Sequence, residues 1–419
     1  ACRQAGFGLK KDETERQNMA RIRHITLPKG FVAGAAACGI KPSGKMDLAI
    51  IAAQRDCSAA IVTTSNQIVA APILYDRRIL PRGAGKVRGI VINAGNSNVC
   101  TGRKGLRDAE TMAGLAAKQL GTVKEKVLVA STGVIGRVLP MAKVRRGVAA
   151  AAKNLNRGSD SAVLRAIMTT DTREKSAVVR IRVGGKAVTI AGMVKGSGMI
   201  DPSLATMIAV VTTDAAIAPT VLKKALNSSI RETFNAITVD GDQSTSDIVA
   251  VMASGAAGDK PIAAGTANFR KFTHAMNELC GVLARKVVAD GEGATRVIEI
   301  SIRGARSDGE AKIAAKAIAN SPLVKTAVHG GDPNWGRIAM ALGKSPARVV
   351  ADKLTISIGD QRVFACGVGR KFDAGKVRRH LRGGTVRIDC TLGFGKGSFT
   401  ALTCDLSGKY ITINADYTT

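Results

Sequence analysis

Short apolar runs alternate with helix-spaced patterns along nearly the whole chain, and this alternation restricts the fold more than any other feature. Residues 87–92 read as a strand that ends in the polar turn Asn93-Ala94-Gly95-Asn96-Ser97-Asn98. Residues 106–120 then carry apolar side chains at helical spacing, with several alanines. Residues 126–130 form a second strand closing on Ser131-Thr132-Gly133, and residues 141–155 an alanine-rich helix. Residues 178–183 alternate, Gly184-Gly185 turns, and residues 186–190 alternate back as a β-hairpin. Helices are expected over 221–234, 268–288 and 309–318, a strand over 297–302, and a strand-rich tail from 349 through 413. Sheets with helices on their outer faces satisfy such a pattern, so the fold class is α/β (α+β). There is no fixed-period repeat and no low-complexity linker. The glycine-rich patch Asp290-Gly291-Glu292-Gly293-Ala294 is the best candidate boundary.

The hairpin leads straight into Lys195-Gly196-Ser197-Gly198-Met199-Ile200-Asp201-Pro202-Ser203-Leu204-Ala205-Thr206-Met207. This loop places one hydroxyl, Thr206, at the head of the apolar run Met207-Ile208-Ala209-Val210-Val211, which reads as a buried strand. Strands favour threonine, so Thr206 alone would be a packing residue. If the Ala205–Thr206 bond broke, the freed α-amine would sit beside its own hydroxyl as a base, and Thr206 would become a nucleophile. Such an amine has a reference pKa of about 7.7–8.0, close to working pH.

Acyl transfer also needs donors for a developing oxyanion. Ser131-Thr132-Gly133-Val134-Ile135-Gly136 follows a strand directly. It reads either as a tight turn or as a place where backbone and hydroxyl donors approach a carbonyl oxygen. Ala166-Ile167-Met168-Thr169-Thr170-Asp171-Thr172 reads by itself as a helix stop, Lys195 as a solvated charge, and Glu292 as a turn residue. The end of the chain, Tyr410-Ile411-Thr412-Ile413-Asn414-Ala415-Asp416-Tyr417-Thr418-Thr419, alternates like a strand through Ile413 where a terminus would ordinarily fray. Gly39-Ile40-Lys41-Pro42-Ser43-Gly44-Lys45 has the spacing of a phosphate-binding P-loop, but Met46 replaces the required Ser or Thr and no clear helix follows.

Composition removes several function classes. The 419 residues suffice for two domains or one large one, and no apolar run reaches the ~18–20 residues of a membrane span. The net charge of +30 raises the question of a nucleic-acid partner. The basic residues are dispersed in pairs such as Arg145-Arg146, and aromatic residues make up only 3%, so stacking platforms are scarce. The eight cysteines include no Cys-x-x-Cys pair and the four histidines are scattered, which argues against zinc and disulfide frameworks and for a reducing compartment. Residues 1–27 are basic but acid-containing and make a poor secretory signal; a start at Ala1 suggests a processed, trimmed or partial chain.

The Lys195 loop together with the other motifs resembles the self-cleaving glutamate N-acetyltransferase family, also called ornithine acetyltransferase, from about Gly30 to Thr419. Three further stretches match: Asn93 to Asn98, Gly331-Asp332-Pro333-Asn334-Trp335-Gly336-Arg337, and Asp240-Gly241-Asp242-Gln243-Ser244-Thr245-Ser246-Asp247, expected as structural support. Departures from the family pattern are Asp201 for a small residue, Leu204 for methionine and Gln243 for threonine. The resemblance implies a layered sandwich of sheets flanked by helices plus a second, smaller α/β domain. The expected division is an extension at 1–27, a catalytic domain at 28–289, a second domain at 290–395 and a tail at 396–419 returning to the site.

The resemblance further implies self-cleavage between Ala205 and Thr206 and acetyl transfer from N-acetylornithine to glutamate through acetyl-Thr206. Thr132 and Gly133 would form the oxyanion hole, and Thr169, Lys195, Thr206, Glu292, Asn414 and Thr419 would bind substrate. No metal or organic cofactor is expected; acetyl-CoA as a second donor is left open by the sequence. A heterotetramer of two cleaved α and two β chains is implied, in the cytoplasm, or in the mitochondrial matrix of a eukaryote. Two alternatives stay open. One is a related self-cleaving amidohydrolase, aminopeptidase or secondary-metabolism acetyltransferase. The other is a basic nucleic-acid-binding protein.

Overall fold

The computed structural model describes residues 24–201 and 207–416. Eight strands form the first sheet: β1 (Phe31–Ala36), β2 (Leu48–Thr63), β3 (Ala84–Asn96), β4 (Val127–Val134), β5 (Ser176–Val183), β6 (Lys186–Lys195), β7 (Ile208–Thr213) and β8 (Ile248–Ala253). Their order is β4-β3-β2-β8-β7-β6-β5, with β1 paired to β2. The long strand β2 joins two halves: its first part pairs β1 and β3, its second part β8, and the register with β3 breaks between Ala52 and Cys57.

The strand residues sort by parity into three layers. Ala49, Ile51, Ile90 and Ile92 of β2 and β3 share an inner core with Met193, Ile208, Val210, Ile248 and Ala250 of β6–β8. Their neighbours Leu48, Ile50, Val91, Val127 and Val129 pack outward under the helices Gly102–Leu120 and Met141–Lys153. On the opposite side Ile190, Val194, Ala209, Val211, Val249 and Val251 pack under Pro219–Glu232 and Ala267–Ala289. The outcome is helix, sheet, sheet, helix. Because both faces of β7 and β8 are covered, every residue in them is buried, which explains their unbroken apolar runs.

The second sheet contains β9 (Val297–Ala305), β10 (Thr355–Ile358), β11 (Gln361–Ala365), β12 (Val368–Gly369), β13 (Thr385–Thr391) and β14 (Gly397–Cys404), in the order β12-β11-β10-β13-β9-β14. One of its faces is covered by helices that include Asp308–Ala319 and Trp335–Gly343, and the other meets the helix Ala267–Ala289 at Val297, Leu402 and Cys404. Its strands alternate, as in Thr385–Thr391, where Val386, Ile388 and Cys390 point inward. No helix among the described residues is long and apolar enough to cross a membrane.

Two local expectations need correction. β3 continues through Asn96 and β4 through Val134, so Asn93 to Asn96 and Ser131 to Gly133 are paired strand ends and not turns. The chain end expected as strand through Ile413 is a helix, Gly408–Asp416; its backbone groups pair within the helix and not with a strand. The stretch from 396 first runs as β14 in the second sheet before this helix leaves it. The P-loop look-alike is a turn around its own anion: the buried Asp47 carboxylate accepts from the backbone N–H groups of Cys38, Ile40 and Lys41 at 2.8, 2.6 and 3.0 Å. A strand, β2, follows it, not a helix.

Candidate active site

The ends of β4 and β6 and the start of β7 open on a cavity of about 250 Å³. Thr132, Gly133, Thr169, Lys195, Glu292 and Asn414, drawn from five distant stretches of sequence, all line it. Ala205, Thr206 and Thr419 lie outside the described residues. Met207, which follows Thr206 in sequence, lines the cavity too, and its carbonyl accepts from the Ile248 N–H at 2.9 Å.

Parallel pairing of β3 with β4 sets Thr132 and Gly133 against Gly95 and Asn96. Gly133 has φ +125°, and a Cβ there would lie 2.4 Å from the Gly95 carbonyl carbon, so only glycine fits. Behind them the Ser131 hydroxyl donates to Asn93 Oδ1 at 2.6 Å, and Asn93 Nδ2 donates to the Asn96 carbonyl at 2.8 Å. The Asn-rich motif is therefore a brace for the two strand ends. Lys195 Nζ donates to Thr132 Oγ1 at 3.3 Å. With that oxygen serving as acceptor, the threonine's own O–H is free to donate elsewhere.

Burial lowers the pKa of Lys195, and Asp171, Asp247 and Glu292 oppose that shift. Asp171 is the main counter-charge. Burial alone would raise its pKa, but Lys195, Lys175 and its hydrogen bonds pull it down to about 2. Its oxygens accept from Lys175 Nζ at 2.6 Å, Gly196 N–H at 2.7 Å and Thr169 N–H at 3.0 Å. One carboxylate thus fixes both the Thr169 segment and the start of the Lys195 loop. Lys175, 1% exposed, also meets Asp290 at 2.5 Å, which in turn holds the Thr172 and Arg173 N–H groups.

Further along the loop, Met199 has φ +55°, in the left-handed region a side chain seldom adopts. Asp240 holds it there, accepting from the Met199 and Ile200 N–H groups at 2.6 and 2.8 Å. Burial raises the Asp240 pKa against those bonds. Asp247 also lines the cavity; burial raises its pKa well above the usual carboxylate value, and its Oδ2 has no hydrogen-bond partner among the described residues. Gln243, the departure from threonine, donates to Ser65 Oγ at 2.6 Å and ties this loop to the end of β2.

Glu292 faces the loop from the far side. Its N–H donates to the Ser197 carbonyl at 2.9 Å, and Gly198 clears space for it: a Cβ at Gly198 would lie 2.4 Å from Glu292 Oε2. Asn414, from the helix Gly408–Asp416, donates to Glu292 Oε2 at 2.8 Å. The cavity lining therefore offers a cation and a hydroxyl donor, Lys195 and Thr132, together with a carboxylate, Glu292. That polarity suits a small zwitterion whose carboxylate meets Lys195 and whose ammonium meets Glu292.

Sequence reasoning named the six lining residues but not Asp171, Lys175, Asp240, Asp247 or Asp290 as individual actors. All but Lys175 sit inside motifs it had quoted; what it lacked was the knowledge that they are buried, since a buried acid must find partners.

The ArgJ family profile matches residues 32–419. The arginine biosynthesis bifunctional protein ArgJ of Symbiobacterium thermophilum is 44% identical over 400 residues, covering 94% of this chain and 98% of the relative. Its namesake from Deinococcus radiodurans is 44% identical over 395 residues, with 94% and 98% coverage. A crystal structure of a protein of the same name from Bacillus halodurans is 40% identical and covers 49% of this chain and 97% of its own, with a TM-score of 0.48.

Proposed function

The chain belongs to the ArgJ family, and on that premise we propose how its residues perform acetyl transfer in arginine biosynthesis, the activity that membership brings with it. Hydrolysis of the Ala205–Thr206 bond yields chains 1–205 and 206–419 and a free α-amine on Thr206. The Thr206 hydroxyl attacks the acetyl carbonyl of N-acetylornithine while the α-amine takes its proton. The Thr132 hydroxyl and the Gly133 N–H stabilise the oxyanion. Ornithine leaves carrying that proton, and acetyl-Thr206 remains. The amine of glutamate then attacks the ester, giving N-acetylglutamate and free Thr206. Two half-reactions through one acyl-enzyme predict ping-pong kinetics.

Lys195 receives the substrate carboxylate and Glu292 the cationic amino group, with Thr169, Asn414 and Thr419 as further contacts. The proposed reaction uses no metal or organic cofactor, because the amine supplies the base and the two donors supply the electrostatics. The proposal also includes a heterotetramer of two cleaved α and two β chains, and a cytoplasmic setting. The observation that carries this reading is the convergence of six residues from five distant stretches on one cavity beside Met207.

Intact-mass spectrometry tests it, on the wild type and on Thr206→Ala, before and after incubation with N-acetylornithine. The expected result is two chains broken at Ala205–Thr206, an acetyl mass on the second chain only, and neither event in the variant. A whole, unmodified wild-type chain would remove the nucleophile assignment. Acetyl-CoA in place of N-acetylornithine shows whether the same threonine takes a second donor. Loss of the acetyl mass without glutamate would favour a hydrolase over a transferase.

A further inference from the structure

The loop's charged departure, Asp201, does not line the cavity. Both its carboxylate oxygens are instead held by the helix Asp308–Ala319 and its cap. Oδ1 accepts from Lys316 Nζ at 2.5 Å and Oδ2 from Asn320 Nδ2 at 2.9 Å. These partners are themselves fixed. Lys316 Nζ also donates to the Ile237 carbonyl at 2.5 Å. The Thr238 hydroxyl lies 2.7 Å from Asn320 Oδ1 and 3.0 Å from the Ile200 carbonyl, which also accepts from the Val239 N–H at 2.7 Å. Downstream, Met207 is anchored to Ile248. Asp201 and Met207 are thus each held by partners, one on either side of the Ala205–Thr206 bond in sequence.

We propose that Asp201, Lys316 and Asn320 form a clamp that positions the Ala205–Thr206 bond for self-cleavage, making Asp201 a positioning residue for that step and not for acetyl transfer. The inference rests on the cleavage reading given above. Loss of the clamp would move the held position before the bond back by one residue only, because Ile200 keeps its own partners. Loop-closure entropy grows with the logarithm of length, so that term is negligible. Aim is the larger effect: attack within one short loop requires a near-attack geometry, and a 1 Å misplacement can cost about 100-fold. Once the bond is broken, Asp201 belongs to the first chain and Thr206 to the second. The clamp can then no longer direct the threonine through the backbone, so its influence on acetyl transfer ends with cleavage.

The test follows the appearance of the 1–205 and 206–419 chains during cell-free synthesis of the wild type, Asp201→Ser, Asp201→Asn and Lys316→Met, with thermal midpoints recorded alongside. Asp201→Ser and Lys316→Met are expected to cut about tenfold more slowly than the wild type, and Asp201→Asn, which keeps an acceptor oxygen but no charge, to fall between. After prolonged incubation the fully cut variants are expected to match the wild-type kcat and KM for acetyl transfer to within about twofold. Should Asp201→Ser fail to fold, Lys316→Met carries the same comparison. A wild type that stays whole removes both the cleavage reading and the clamp. A wild type that cuts while the folded variants cut at its rate removes the clamp alone, as does a kcat loss in cut protein equal to the loss in cleavage rate.

Discussion

Thr132, Gly133 and Lys195 stand at the ends of strands packed between covering layers, whereas Tyr410 and Asn414 stand on a helix, Gly408–Asp416, in which no residue is buried. The first wall is held by a buried network of charge: Asp171 at 0% side-chain exposure, Lys175 at 1%, and Asp290 at 4%. The second wall is held mainly by polar contacts, Asn414 to Glu292 and Ser407 Oγ to the Gly293 carbonyl at 2.7 Å. The contrast separates two tasks. Groups that meet developing charge need fixed geometry, because reorganisation at the moment of reaction would cancel their benefit. A group that recognises one end of a substrate can sit on an element that docks late.

Asp171→Asn attacks the rigid wall at its centre and is expected to have the largest effect. Removing one partner of a buried pair costs about 3–5 kcal/mol, here measurable by denaturant unfolding. The pH dependence follows in sign. The native Asp171 pKa, about 2, lies below its unfolded value, so its stabilisation is complete above the unfolded pKa and lost as pH falls towards 2. The gap between wild type and variant should be full at neutral pH and shrink on acidification below about pH 4. A gap independent of pH would show that Asp171 acts through shape and not charge.

Thr132→Ala comes next. Loss of one oxyanion donor should lower kcat about 10²–10³-fold with little change in KM, read from initial rates of acetyl transfer. Equal losses in kcat and in affinity would place Thr132 among the binding groups and weaken the contrast between the walls. Asn414→Ala should act least. Glu292 keeps its carboxylate and loses one hydrogen bond to a charged group, worth about 1.5–3 kcal/mol at most. The expectation is a rise of about tenfold in KM for N-acetylornithine with kcat nearly intact. A kcat loss as large as that of Thr132→Ala would mean that the tail belongs to the catalytic wall.

Much of this was legible along the chain, and the places where it was not share a cause. The hairpin of β5 and β6 is local: Gly184 and Gly185 both take positive φ, and alternation on either side sets the register. β7 and β8 were legible as apolar runs because a strand covered on both faces has no polar side. Ser131 to Gly133 looked like a turn because hydroxyls and glycine usually mark one; in the structure Asn93 and Ser131 satisfy each other across paired strands, which no local pattern announces. The end of the chain alternated like a strand yet folded as a helix. Such patterning selects a strand only where a neighbouring edge offers backbone partners.

The sequence by itself determined the alternation of strands and helices, the hairpin that launches the Lys195 loop, and the motifs that carry six of the residues lining the cavity, because each is written in contiguous residues. Only the tertiary structure decided that those stretches meet, that Asp171 is ionised while Asp247 is driven towards its neutral form, and that Asp201 reaches Lys316 and Asn320. Two buried aspartates are pushed in opposite directions by their surroundings. Asp171 has two lysines and two backbone donors about it, while among the described residues Asp247 Oδ2 has no hydrogen-bond partner. Desolvation and Coulomb terms depend on distances in space, which the order of residues along the chain does not contain.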